Sequence, residues 1–95
     1  MVLKLTKDFK NFSLADQMNR AAVSIASNIA EGAERNTNKD FNRFIAIAAG
    51  SAAELRTQLE ILKRVEGSLN EAAEQLQEYC SEISAMLWSL RKSLD

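Results

Sequence analysis

The 95-residue chain has no proline and no histidine, one cysteine, one tryptophan and three glycines. Each scarcity removes a class of answer. With no proline and few glycines, little in the chain breaks a helix, and long helices follow. With no histidine there is no imidazole base, no Ser-His pair and no Glu-x-x-His metal motif. The lone Cys80 has no partner for an intramolecular disulfide, and its apolar helical phase makes it a small core residue. No apolar run approaches the roughly 20 residues of a membrane span, and the N-terminus lacks a signal-peptide core. The expectation is therefore a soluble, cytoplasmic protein with no membrane contact. P-loop, dinucleotide fingerprint and aromatic platform are all missing, so the sequence assigns no catalytic residue, metal, cofactor or small-molecule substrate. No enzymatic activity is expected.

What is present is helical periodicity. The length suits one domain, residues 1–95, with a single core. Residues 2–9 read as a short helical stub, and 10–12 as a linker. Ser13, with Asp16 three residues on, predicts the N-cap of a first long helix whose apolar stripe is Leu14, Met18, Ala21, Ala22, Ile25 and Ile29. Gly32 to Asn38 end it. Thr37 and Asp40 cap a second long helix to about Glu66, with Phe41, Ile45, Ala48, Ala52, Leu55, Leu59 and Leu62 spaced four and three apart. Gly67 is the predicted C-terminal stop. Ser68 and Glu71 cap a third, which keeps a heptad through Leu69, Ala73, Leu76, Cys80, Ile83, Leu87, Leu90 and Leu94. Short connections make successive helices antiparallel neighbours. The predicted fold is all-α: an antiparallel up-and-down bundle of four-helix type, with three long helices plus the N-terminal stub.

Two features remain once the core stripes are removed. The first is uncharged back faces: Asn19, Val23, Ala26, Ser27 and Ala30 on one helix, Ile47, Gly50, Ile61 and Val65 on the next. A solitary bundle normally covers such faces with Lys and Glu. They reflect either contact with two neighbours inside the bundle or a subunit interface. The second is charge. The net charge of −1 gives no overall attraction for nucleic acid, but residues 1–43 hold seven Lys/Arg against five Asp/Glu, and residues 44–95 five against eight. Antiparallel packing brings Arg35, Lys39, Arg43, Arg91 and Lys92 to one pole, with Glu31, Glu34, Asp40 and Asp95 against them. That pole is either a nucleic-acid-binding patch or an ordinary solvated end. The carboxylates Glu71, Glu74, Glu78 and Glu82 lie opposite the leucine heptad and read as a solvated face. Trp88, at the border of its stripe, is expected to anchor the core edge.

The stretches "RAAVSIASNIAEGAER" and "FNRFIAIAAGSAAELRTQLEI" resemble the two-part signature of a bacterial four-helix-bundle family. Its members include the proteins encoded in intervening sequences of large-subunit rRNA genes, and the accessory variability proteins of diversity-generating retroelements are similar. The resemblance covers nearly the whole chain. It implies a four-helix protomer, a ring-like homopentamer and no enzymatic activity, and in some relatives a basic surface that binds nucleic acid or a reverse transcriptase. Ser24, Asn28, Glu31 and Gly32 belong to the shared motif. Asn28 and Glu31 are either ligands for RNA or a partner, or a hydrogen-bonded lock between two helices, with Gly32 permitting the tight exit. The lock is the expectation, because an amide at a buried edge must find partners. Ala26 stands where the family usually has proline, and alanine should simply continue the helix. The family's long first helix is represented only by residues 2–9, so one groove of the bundle is expected to be uncovered, the sequence being either a shortened gene product or one from an internal start.

Two functions follow from different classes. The chain is a non-catalytic homo-oligomer, a pentamer by resemblance, serving as an RNA- or nucleic-acid-binding accessory or meeting a nucleic-acid-processing protein. Alternatively it is a structural or protein–protein interaction module with no nucleic-acid role. The family favours the first and the acidic balance the second.

Overall fold

The computed structural model describes residues 12–94, and the fold there is all-helical. Helix α1 spans Phe12–Ala33, α2 spans Asn38–Val65, and α3 spans Asn70–Leu94, preceded by a 3-10 turn at Gly67–Leu69. The predicted stub at residues 2–9 lies outside the described residues, so the architecture established is three helices. At 28 residues, α2 is about 42 Å long. It sets the long dimension of a 44 × 20 × 16 Å body.

Helix α2 is central. It packs against α1 on one side and α3 on the other, whereas α1 and α3 scarcely approach each other in backbone. Contacts pair the end of one helix with the start of the next, as antiparallel neighbours require: Gly32 faces Phe41 and Phe44, and Lys63 reaches Glu74. The apolar phases go where the spacing places them. Leu14, Met18, Ala21 and Ile25 of α1 meet Ala52, Leu55, Leu59 and Leu62 of α2 and Ala73, Leu76 and Cys80 of α3. A smaller cluster toward the other end joins Ile45 and Ala48 to Leu87. Met18, Ile45, Leu59 and Leu62 are wholly enclosed, and each such side chain contributes about 1.5–3 kcal/mol through area removed from water. Cys80 is 3 % exposed, and burial pushes its thiol pKa up while Arg56 opposes the shift.

The helix ends follow the sequence only in part. Thr37 caps α2 as expected, its Oγ1 accepting from the Asp40 amide at 3.1 Å. Ser13, however, sits inside α1, which already begins at Phe12. Gly67 is not a left-handed stop, since no described glycine has a positive φ. Instead Glu66 ends α2, leaving the helix at φ −143° and ψ 84° while its amide still donates to the Leu62 carbonyl. Ser68 caps nothing for α3: its hydroxyl donates to the Glu66 carboxylate at 2.8 Å, and α3 starts later, at Asn70. Ala26 does continue its helix, and α1 runs unbroken through it.

Candidate functional site

The shared-motif residues fix where the pole lies. Ser24 Oγ is 2.8 Å from Ser51 Oγ of α2. Asn28 Nδ2 donates back to the Ser24 carbonyl at 2.8 Å and to Ser24 Oγ at 3.1 Å. The Ser24–Ser51 hydroxyl pair thus joins α1 to α2 at a half-buried seam, and Asn28 braces Ser24 from one turn along α1, so that each polar group has a partner. Glu31 stands outside this network: it accepts from Arg35 Nη2 at 2.6 Å. Gly32 is not needed for an exit, because it is still helical. A Cβ there would lie 2.9 Å from both Phe41 Cδ1 and Phe44 Cβ, so glycine is required by close approach.

That approach brings Phe44 beneath the end of α1. The Arg35 guanidinium lies 4.7 Å from the Phe44 ring centre, and so does that of Arg43. Arg35 is tethered by Glu31, and Arg43 is 4.0 Å from Asp40. Across α2, Arg91 of α3 donates through Nε to Asn42 Oδ1 at 3.0 Å and stands 5.9 Å from the Trp88 ring centre. Asn42, Arg43 and Phe44 are consecutive, so one turn of α2 links two cation–aromatic clusters drawn from α2, α3 and the α1–α2 connection that carries Arg35. Lys39 and Lys92 are exposed at the same pole. Cations held against aromatic faces keep their charge outward while the ring restricts their rotamers.

Two expectations about aromatics are corrected here. Trp88 is 59 % exposed and takes no part in either core cluster, because its phase lies past the edge of the heptad stripe. The pole therefore does carry aromatic surface. Sequence reasoning missed Phe44, Asn42 and Ser51. The spacing of Phe44 from Phe41 was the available signal, since i and i+3 share a helix face.

The back-face residues are accessible. Val23 is 63 % exposed, Ile47 43 %, Ile61 46 % and Val65 58 %. Ala26, Ser27 and Ala30 are exposed too, and Asn19 is half-buried. Val23 borders a shallow hollow with Asn19, Arg20 and Ser24. Ala26 borders a separate apolar cleft of about 200 Å³ between α1 and α3, with Ile25, Tyr79, Cys80 and Ile83 around it. On the other side of α2, Lys63 bridges Glu60 at 3.4 Å and Glu74 at 3.3 Å, and Gln77 Nε2 donates to Glu60 at 3.1 Å. Gln77 first, then Lys63, hold the Glu60 carboxyl below its usual pKa. Among the described residues no three His, Cys, Asp or Glu side chains converge as a metal site, and no helix is long and apolar enough to cross a membrane.

The sequence model of the family described as 23S rRNA-intervening sequence protein matches residues 1–89. The chain belongs to that family. No curated protein matches it. In this chain the motif residues Ser24 and Asn28 serve the α1–α2 seam, and Gly32 admits Phe44, on which Arg35 and Arg43 are set. The motif thereby builds the pole from beneath: Ser24 and Asn28 are engaged in the seam, and Glu31 holds Arg35.

Proposed function

We propose that this chain is a non-catalytic homo-oligomeric bundle protein that binds RNA or another nucleic acid through the pole formed by Arg35, Lys39, Arg43, Arg91 and Lys92. The observation that carries the reading is the gathering of Arg35, Arg43 and Arg91 from three segments of chain around one turn of α2. Guanidinium groups are suited to phosphate oxygens, and ring contacts and hydrogen bonds hold these in position. Assembly multiplies the patch. In a ring of five, the stoichiometry the family resemblance implies, a patch weak by itself becomes multivalent.

The test is an electrophoretic shift of structured RNA across a salt series. Neutralising Z phosphates lowers log affinity with log salt by a slope of roughly 0.7Z to 0.9Z. Lys39→Ala together with Arg43→Ala should weaken binding and flatten that slope with fold and assembly unchanged. Arg20→Ala together with Arg64→Ala, at the other pole, should do little. Equal losses from both pairs would place the surface elsewhere. Absence of any shift at low salt would favour the second reading, a protein-interaction module, which the exposed Val23, Ile47, Ile61 and Val65 support.

A further inference from the structure

The one tryptophan of the chain stands where an ordinary bundle would place a polar residue. Trp88 leaves 59 % of its surface in solvent, outside both core clusters. Its ring has a cation beside it: Arg91 Cζ lies 5.9 Å from the centroid. Arg91 is not loose, since its Nε donates to Asn42 Oδ1 of the neighbouring helix at 3.0 Å. Lys92, exposed, follows four residues after Trp88 and therefore shares its side of α3. A flat aromatic surface, a fixed guanidinium and a second cation one turn along thus occur together at the end of α3.

We infer that Trp88 is a stacking platform for an unpaired base, and that the nucleic acid taken by the pole is single-stranded at this point, with Arg91 and Lys92 on the flanking phosphates. The inference rests on the nucleic-acid reading above and narrows it. In a duplex the base faces are buried in the stack, and an exposed indole on a bundle surface has no access to them. In a single strand each base offers a face, and stacking on an aromatic side chain is tolerant of base identity. The arrangement therefore selects strandedness rather than sequence. It also explains why an apolar ring is kept in water beside charges although its neighbour Leu87 is in the core.

Because Trp88 is the sole tryptophan, its own emission reports the contact. The experiment titrates the full chain, at low salt, with labelled oligothymidylate, which forms no secondary structure, and with a labelled duplex of equal length. Label anisotropy reads binding, and tryptophan emission reads stacking. The expected result is tighter binding of oligothymidylate, with quenching that saturates along the anisotropy curve. Trp88→Ala should weaken oligothymidylate binding roughly tenfold and leave duplex binding unchanged, while Trp88→Phe keeps most of the affinity. Binding of both nucleic acids with unquenched emission and no effect of Trp88→Ala would overturn the stacking platform and leave the nucleic-acid reading intact. Failure of both to bind would remove that reading and this inference with it. Loss of assembly mass or helicity in both variants would make Trp88 a structural or subunit contact and likewise overturn it.

Discussion

At the scale of single residues, the demands on glycine separate positions that look alike in sequence. Gly32 would place a Cβ 2.9 Å from Phe44 Cβ, an atom fixed close to its own backbone that cannot swing away. Gly50 and Gly67 have nothing within 4 Å of the corresponding point. Gly32→Ala should therefore force α1 from α2 and lower stability by about 1–3 kcal/mol, a fall of roughly 5–20 °C in Tm for a domain of this size. Gly50→Ala should be neutral or stabilising, since glycine inside a helix costs about 1 kcal/mol relative to alanine. Thermal denaturation of the two variants checks both signs, and a Gly32→Ala protein melting with the parent would contradict the packing account. The sequence showed Gly32 as part of a motif but not why, because the reason is a partner helix. Asn28 shows the converse. The need of a buried-edge amide for partners is local chemistry, and the Ser24 carbonyl it finds is one turn away. Glu31 was grouped with it by proximity in the motif, but its position near the helix end gives it to Arg35.

At the scale of elements, burial follows phase closely enough that the core stripes were legible throughout. Every described position of the α2 stripe is buried except Phe41, which is half-buried. Ends were less legible. Three Ser/Thr-x-x-acid patterns look equivalent, yet only Thr37 serves as a cap in this way. Ser13 already lies inside α1 and Ser68 inside the 3-10 turn before α3, and a four-residue pattern reveals neither placement. The polar clasp between α2 and α3 was also unreadable, because its members are far apart in the chain and become neighbours only through register. Gln77 donates to Glu60 and also to the Arg56 carbonyl at 3.2 Å, and Lys63 lies among Glu60, Glu74 and Gln77. Since the folded state depresses the Glu60 pKa below its ordinary 4.5, this carboxylate favours folding above that value, and the contribution is lost as pH falls through the lowered folded value. A carboxyl-carbon NMR titration should show Glu60 with a midpoint below the ordinary glutamate value. Gln77→Ala, which removes the largest cause, should move the midpoint upward more than Arg64→Ala does. If the order is reversed, the clasp is not what shifts the group.

At the scale of the whole molecule, the question is what the uncharged back faces are for. Contact with neighbouring helices of the same chain was one reading, and among the described residues it does not cover them, since Val23 and Val65 remain more than half exposed. The patches are on different elements: Val23, Ala26 and Ala30 recur along α1, Ile47, Ile61 and Val65 along α2. A two-fold dimer needs one self-complementary patch, whereas a closed ring needs two different ones that meet head to tail. In the proposed ring the α1 set of one subunit would meet the α2 set of the next. Val23→Glu or Ile47→Glu should dissociate such an assembly. Neither should unfold the chain, because each side chain is at least two-fifths exposed in the single subunit and a charge there stays hydrated. Light scattering should then show a multiple of the 10.6 kDa chain mass for the parent and loss of that mass for either variant, with helical circular dichroism retained. If only one patch were used, one variant would leave the mass unchanged and the ring would give way to a dimer. A parent protein that is monomeric at micromolar concentration would end the assembly proposal. The multivalent pole would end with it, leaving each copy with only its own Arg35, Arg43 and Arg91 to hold a phosphate chain.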